Sequence, residues 1–125
     1  MARTARQGLG RMGERLAREH LEKLGYQIIA TNHRTTTGEI DLVAQEGGAL
    51  VIIEVRTRRG RALGTPEESV TPIKAQRLAA LAEEYGQAHP ELPADLRVDL
   101  VAVELTPSGK LLRVELVRNA VVDQG

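Results

Sequence analysis

Apolar residues Leu9, Met12, Leu16, Ala17, Leu21 and Leu24 recur at spacings of three to five, while Arg11, Arg15, Arg18 and Glu22 fall on the opposite side. That pattern predicts an amphipathic helix from Gly10 to Leu24, with its apolar stripe toward a core and Gly25 as C-cap. The period then changes. Tyr26–Ala30, Gly38–Gln45 and Leu50–Arg56 read as strands, and the Gly47-Gly48 pair between the last two signals a tight hairpin. Thr57 to Thr71 holds Gly and Pro breakers with three arginines, and a connection of that length is usually functional or mobile. Thr71-Pro72 supplies an N-cap and first-turn proline for a helix over Ile73–Ala88, with Ile73, Leu78, Leu81, Ala82 and Tyr85 toward the core. Leu96–Leu105 and Leu111–Val117 read as two further strands joined by a turn at Thr106–Gly109. A hairpin, a crossover helix and another strand predict an α/β fold: a mixed central β-sheet flanked by helices in the order α-β-β-β-α-β-β.

Composition narrows the chemistry. A chain of 125 residues with 42% hydrophobic and 27% charged residues is sized and balanced for a single globular domain, 1–125. It contains no stretch apolar enough to span a bilayer, and the N-terminal MARTARQGLGR lacks an apolar signal core, so a soluble, cytoplasmic, non-membrane protein is expected. The absence of cysteine excludes disulfides, thiolate zinc sites, iron–sulfur clusters and a cysteine nucleophile. Tyr26 and Tyr85 are the only aromatic residues, which argues against recognition of single strands by base stacking. The zero net charge divides unevenly: residues 1–61 carry 11 Lys or Arg against 7 acids, and residues 62–125 carry 6 against 10. The basic excess of the first half permits a nucleic-acid partner without requiring one.

The informative run is residues 38–58, GEIDLVAQEGGALVIIEVRTR. Strand alternation places Glu39, Asp41 and Val43 on one face and Ile40, Leu42 and Ala44 on the other. If Gly47 and Gly48 are the central residues of the turn, cross-strand partners have numbers summing to 95, so Asp41 opposes Glu54 and Glu39 opposes Arg56. Directly opposed side chains have Cβ atoms roughly 4.5–5.5 Å apart, and like charges so placed are destabilising. Two carboxylates converging there suit a hard divalent cation such as Mg²⁺ or Mn²⁺. The competing reading is an ordinary solvated pair of acids and a weak Glu39–Arg56 salt bridge. Against it stands the run LVII before Glu54, which marks a strand buried on both faces, from which a carboxylate and a guanidinium emerge only with local compensation.

These motifs resemble a known family. G-E-I-D-L, a hairpin and I-I-E-V-R-T-R look like the acidic core of the restriction-endonuclease-like superfamily. With G-x-x-G-E-x-x-A at Gly10–Ala17, Asn32, the lysine opening the second helix and R-V-D-L-V, nearly the whole chain resembles the uncharacterised bacterial YraN-like family, which is similar to archaeal Holliday-junction resolvases. The resemblance implies that Asp41 and Glu54 are metal-binding carboxylates and that Glu14 completes the site. Glu14 lies about 20° beyond Leu21 on a helical projection, at the border of the apolar stripe. Glu39 is a fourth ligand or the partner of Arg56. Where the superfamily usually carries lysine this chain has Arg56, an always-charged planar fork that stabilises transition-state charge but cannot act as a base; Lys74 is the residue placed to take the missing role.

The expected activity is therefore Mg²⁺- or Mn²⁺-dependent hydrolysis of phosphodiesters in duplex or branched DNA, with catalytic residues Glu14, Asp41, Glu54, Arg56 and Lys74. Arg11, Arg15, Arg18, Arg58, Arg59 and Arg61 are candidates to grip backbone phosphates. Analogy with resolvases, which need two sites for two strands, implies a homodimer. Two other classes stay open: a nuclease-fold module that binds DNA or RNA without cleavage, favoured by Arg56, and a partner-binding protein with solvated acids, favoured by the zero net charge. His20, His33 and His89 show no ligand spacing, and Asp99 reads as structural.

Overall fold

The computed structural model describes residues 5–121; the first four residues of the N-terminal stretch read above lie outside it. The elements run α1 (Ala5–Lys23), β1 (Gln27–Arg34), β2 (Glu39–Glu46), β3 (Ala49–Arg59), a 3₁₀ turn (Glu67–Ser69), α2 (Pro72–Ala88), β4 (Asp95–Leu105) and β5 (Leu111–Val117). Five strands form one mixed sheet in the order β1-β2-β3-β4-β5. All neighbours are antiparallel except β3 and β4, which run parallel because α2 carries the chain back between them. This is the mixed α/β arrangement expected from the sequence, and it is consistent with a restriction-endonuclease-like fold.

Each helix covers one face. Ala17 and Leu21 of α1 pack with Leu42, Ala44, Val51, Ile53, Val101 and Val103. Leu78, Leu81, Ala82 and Tyr85 of α2 pack with Ile40, Val43, Leu50, Ile52 and Val98 on the other face. The run Leu50–Ile53 is fully buried because its members alternate between the two cores. Gly47 and Gly48 both have positive φ, +56° and +85°, which is what the two central positions of the tight hairpin require.

Local boundaries differ from the sequence reading. Helix α1 ends at Lys23, so Leu24 is exposed beyond it; Gly25, at φ +91°, turns the chain so that the Tyr26 amide bonds back to the Leu21 carbonyl. In α2, Ile73 faces solvent: five residues before Leu78, it lies about 140° around the helix from the buried stripe. Thr71 caps α2 as expected, its hydroxyl accepting from the Lys74 amide. Strand β3 continues to Arg59, so Arg58 and Arg59 belong to the sheet and the connection to α2 is shorter than the sequence reading gave it. Among the described residues no helix is long and apolar enough to cross a membrane.

Candidate functional site

Helix α1 packs tightly on β3 at Gly13. A Cβ there would lie 1.9 Å from the Thr57 hydroxyl oxygen and 3.0 Å from the Thr57 Cβ, so only glycine lets the helix backbone sit this low. The next residue, Glu14, is thereby held over the sheet, half-buried, near Asp41 and Glu39. Burial, then the negative charges of Asp41 and Glu39, push its carboxyl up to about 6 from an ordinary 4.5, against opposing pulls from Asn32 and Arg11.

The hairpin register is the expected one from Glu46↔Ala49 to Leu42↔Ile53, and there the ladder stops. Beyond it β2 continues against β1, as far as Arg34↔Glu39, while β3 continues against β4. The sheet forks at Asp41. The fork also breaks strand alternation: Ile40 packs with the α2 core and Leu42 with the α1 core, although strict alternation would put them on one face. The expected facing of Glu39, Asp41 and Val43 is corrected accordingly. Within the fork the Val55 amide has lost its ladder partner, and Asp41 Oδ2 accepts its hydrogen bond at 2.9 Å.

Asp41 and Glu54 nonetheless come together, within hydrogen-bonding reach of each other. Burial is the largest influence on Glu54, and the hydrogen bond and charge of Asp41 add to it; together they hold the Glu54 carboxyl far above the usual carboxylate range. Arg56 and Lys74 pull the other way, which puts both cations in the field of the pair. Glu54 also forms part of the wall of a cavity of about 830 Å³, between Val70 and Thr71 with Pro72 and Ala75 of α2 on one side and Val98 and Leu100 of β4 on the other.

The expected Glu39–Arg56 pair is not formed. With β2 and β3 diverging, Glu39 turns to Asn32, whose amide bridges it at 3.1 Å and Glu14 at 2.8 Å once its nitrogen faces the two carboxylates. Asn32 adopts φ +49°, a left-handed conformation that asparagine tolerates better than most residues. Its bridging role had no signal in strand periodicity, although Asn32 belongs to the motif set above. Arg56 reaches instead across to the 3₁₀ turn, donating from Nε to the Ser69 hydroxyl at 2.7 Å.

The arginines separate into groups. Arg11, Arg15 and Arg18 are exposed on α1, where Arg18 pairs with Glu22 at 3.5 Å. Arg59 donates to the Pro107 carbonyl and Arg61 to Glu104, so these two are occupied within the fold. Arg58 Nε is buried without a hydrogen-bond partner among the described residues. Asp99 is fully buried and satisfied by the Tyr26 hydroxyl, Arg97 and the Asn119 amide, which fits a structural role.

Residues 13–103 match the uncharacterised protein family UPF0102, a span that holds Glu14, Asp41, Glu54, Arg56 and Lys74. The chain belongs to this family. A UPF0102 protein of Symbiobacterium thermophilum is 51% identical over 112 residues, covering 90% of this chain and 94% of that one. UPF0102 proteins of Dehalococcoides mccartyi and Clavibacter michiganensis are each 46% identical, over 119 and 117 residues, covering 95% and 94% of this chain and 97% and 98% of theirs. For this UPF0102 chain the donor set suits a hard divalent cation, because crowded carboxylate oxygens with no soft ligand favour Mg²⁺ or Mn²⁺. Among the described residues no three acid or histidine side chains converge closely enough to enclose an ion. Two carboxylates fit an ion that keeps water and substrate oxygens in its remaining positions.

Proposed function

We propose that this chain is a divalent-cation-dependent phosphodiester hydrolase acting on duplex or branched DNA. The observation that carries the reading is the meeting of Asp41 and Glu54 at the fork of β2 and β3, where burial and the charge of Asp41 favour a proton on Glu54 that a divalent cation would displace. Asp41 and Glu54 would hold Mg²⁺ or Mn²⁺, with Glu14 leaning in from α1. When bound, such an ion lowers the pKa of a coordinated water and neutralises phosphate charge. Asp41 is oriented by the Val55 amide, so one of its oxygens is fixed in direction. Glu14, at about 6, is able to hold or release a proton near neutrality. Arg56 stabilises charge as a fixed cation, and Lys74, in the first turn of α2, supplies a second one. Exposed Arg11, Arg15 and Arg18 offer sequence-independent phosphate contacts. Action on both strands of a branched substrate calls for two such sites, and a homodimer, detectable by light scattering, is part of the reading.

A second reading is favoured by Arg56 itself: an arginine stands where related nucleases use lysine, and it is tied to Ser69. On that reading the chain binds branched nucleic acid without cutting it. Calorimetry with Mn²⁺ and Mg²⁺ on the wild type, Asp41→Ala and Glu54→Ala, followed by cleavage assays on junction and duplex DNA, separates the two. Hydrolysis expects weak metal binding lost in both variants, with cleavage lost alongside. DNA binding that survives or strengthens in Asp41→Ala, with no cleavage by the wild type in either metal, supports the binding module. No metal heat with or without junction DNA overturns the first reading.

A further inference from the structure

Between Gly60 and Thr71 the chain is pinned to the sheet at three points. Arg61 donates to Glu104, Glu67 is gripped by both terminal nitrogens of Arg113 at 2.7 and 2.8 Å, and the Ser69 hydroxyl accepts from Arg56 Nε. Glu67 and Ser69 are the first and last residues of one 3₁₀ turn, too short to bend internally, so what fixes Glu67 fixes Ser69. The Ser69 proton is itself committed to the Pro66 carbonyl, which leaves its lone pair to meet Arg56. Arg113 sits on β5, far from Arg56 in the sequence, and its own Nε is held by the buried Glu104.

We infer that Arg113 is a positioning residue for the carboxylate site: through its forked grip on Glu67 it fixes the 3₁₀ turn, and through Ser69 it sets where the Arg56 guanidinium stands beside Glu54. The inference rests on the proposed hydrolase reading for its catalytic meaning, but the chain of contacts is testable without it. Among the described residues Ser69 is the only side chain hydrogen-bonded to Arg56, so a turn that drifts leaves the Arg56 Nε–H open to water. The fork matters as well as the charge, because a lysine at 113 could not hold both oxygens of Glu67 and the Glu104 carboxylate in one plane.

The test is exchange of the Arg56 Nε–H with water, followed by NMR on the ¹⁵N-labelled full chain near pH 6.5, its signal assigned by its loss in Arg56→Lys. Ser69→Ala is expected to speed exchange at least about tenfold, and Glu67→Gln and Arg113→Lys to speed it by a similar factor. Two controls cut other strands of the same ion-pair network: Glu115→Gln removes another partner of Arg113, and Arg61→Gln another partner of Glu104. Both controls are expected to leave Arg56 unchanged. If Arg113→Lys fails to fold, Glu67→Gln decides alone. Protection of Arg56 that persists in folded Glu67→Gln, or is lost equally in the controls, overturns the inference whatever the metal titrations show. Loss of metal binding as a property of Asp41 and Glu54 would overturn the hydrolase reading and leave this result standing. Where cleavage is measurable, Glu67→Gln lowers kcat about tenfold or more with KM little changed, as displacement of a positioned cation predicts.

Discussion

Replacing Gly13 with alanine is the most discriminating perturbation of the fold, because two opposing effects of known size meet there. Inside a helix alanine is favoured over glycine by about 1 kcal/mol. Position 13 should forfeit that gain, since the added Cβ would lie 1.9 Å from the Thr57 hydroxyl oxygen, 3.0 Å from its Cβ and 3.2 Å from its Cγ2. Rotating the threonine moves its hydroxyl but not its Cβ, so α1 must rise off β3. Overpacking of this kind costs about 1–3 kcal/mol, occasionally more, enough to reverse the sign of the propensity term. Gly10, with nothing within 4 Å of its would-be Cβ, is the internal control. Urea unfolding should show Gly10→Ala stabilised by roughly 0.5–1 kcal/mol and Gly13→Ala destabilised. Adding Thr57→Ala to Gly13→Ala should recover part of the loss as a coupling above about 0.5 kcal/mol, since two of the three close atoms disappear. A rise of α1 would also lift Glu14 from Asp41 and Glu39 and bring its carboxyl down from about 6 toward 4.5. Equal stabilisation by the two glycine replacements would refute the close approach and the placement of Glu14 that depends on it.

Glu54→Gln should stabilise the metal-free protein at neutral pH. The Glu54 carboxyl binds its proton more tightly folded than unfolded, so its contribution is full below about pH 4.5 and declines as pH rises through its elevated folded value. The variant should match wild type near pH 4.5 and exceed its Tm by a few degrees at pH 7.5, read by thermal unfolding; no difference at pH 7.5 would contradict the burial of that charge. Asn32→Asp keeps the left-handed backbone but replaces two donors with a third negative charge, so carboxyl NMR titration should find Glu14 above 6, and a fall would contradict the bridge. Asp99→Ala should cost about 1–3 kcal/mol in urea unfolding by removing the buried acceptor shared by the Tyr26 hydroxyl, Arg97 Nε and the Asn119 amide, while Arg97 keeps Glu46; a loss under about 0.5 kcal/mol would count against a linked cluster.

The parts of the fold legible in the sequence are those set by short-range rules. Gly47-Gly48 dictated the turn and with it the register from Glu46 to Leu42; the LVII run announced a strand with two cores; Thr71-Pro72 announced the start of α2. What escaped depends on long-range competition. The number rule for the hairpin assumes a ladder that continues, whereas β2 is claimed beyond Leu42 by β1 and β3 by β4. Asp41 and Glu54 therefore meet as side chains at a fork and not as an opposed pair, and Glu39 is carried to Asn32. Arg56 finds Ser69 across a connection whose path no local pattern specifies. Ile73 lies off the core face for a simpler reason: its five-residue spacing turns it about 140° around the helix from Leu78.

The fork explains how the sheet can hold these charges at all. In an unbroken ladder Asp41 and Glu54 would oppose each other directly, an arrangement that destabilises a strand pair. Divergence of the strands removes that constraint, and the freed Val55 amide gives Asp41 a donor that fixes one of its oxygens. Glu54 receives no such donor from the described residues, and the cation two residues along its own strand donates instead to a neutral hydroxyl. Closing Arg56 onto Glu54 would favour the ionised form of that carboxyl; with the guanidinium on Ser69, burial and the neighbouring Asp41 favour its proton-bound form instead. On the proposed hydrolase reading, an Arg56 guanidinium held on Ser69 leaves the Asp41–Glu54 oxygens to a divalent cation and stands beside it as a fixed positive charge.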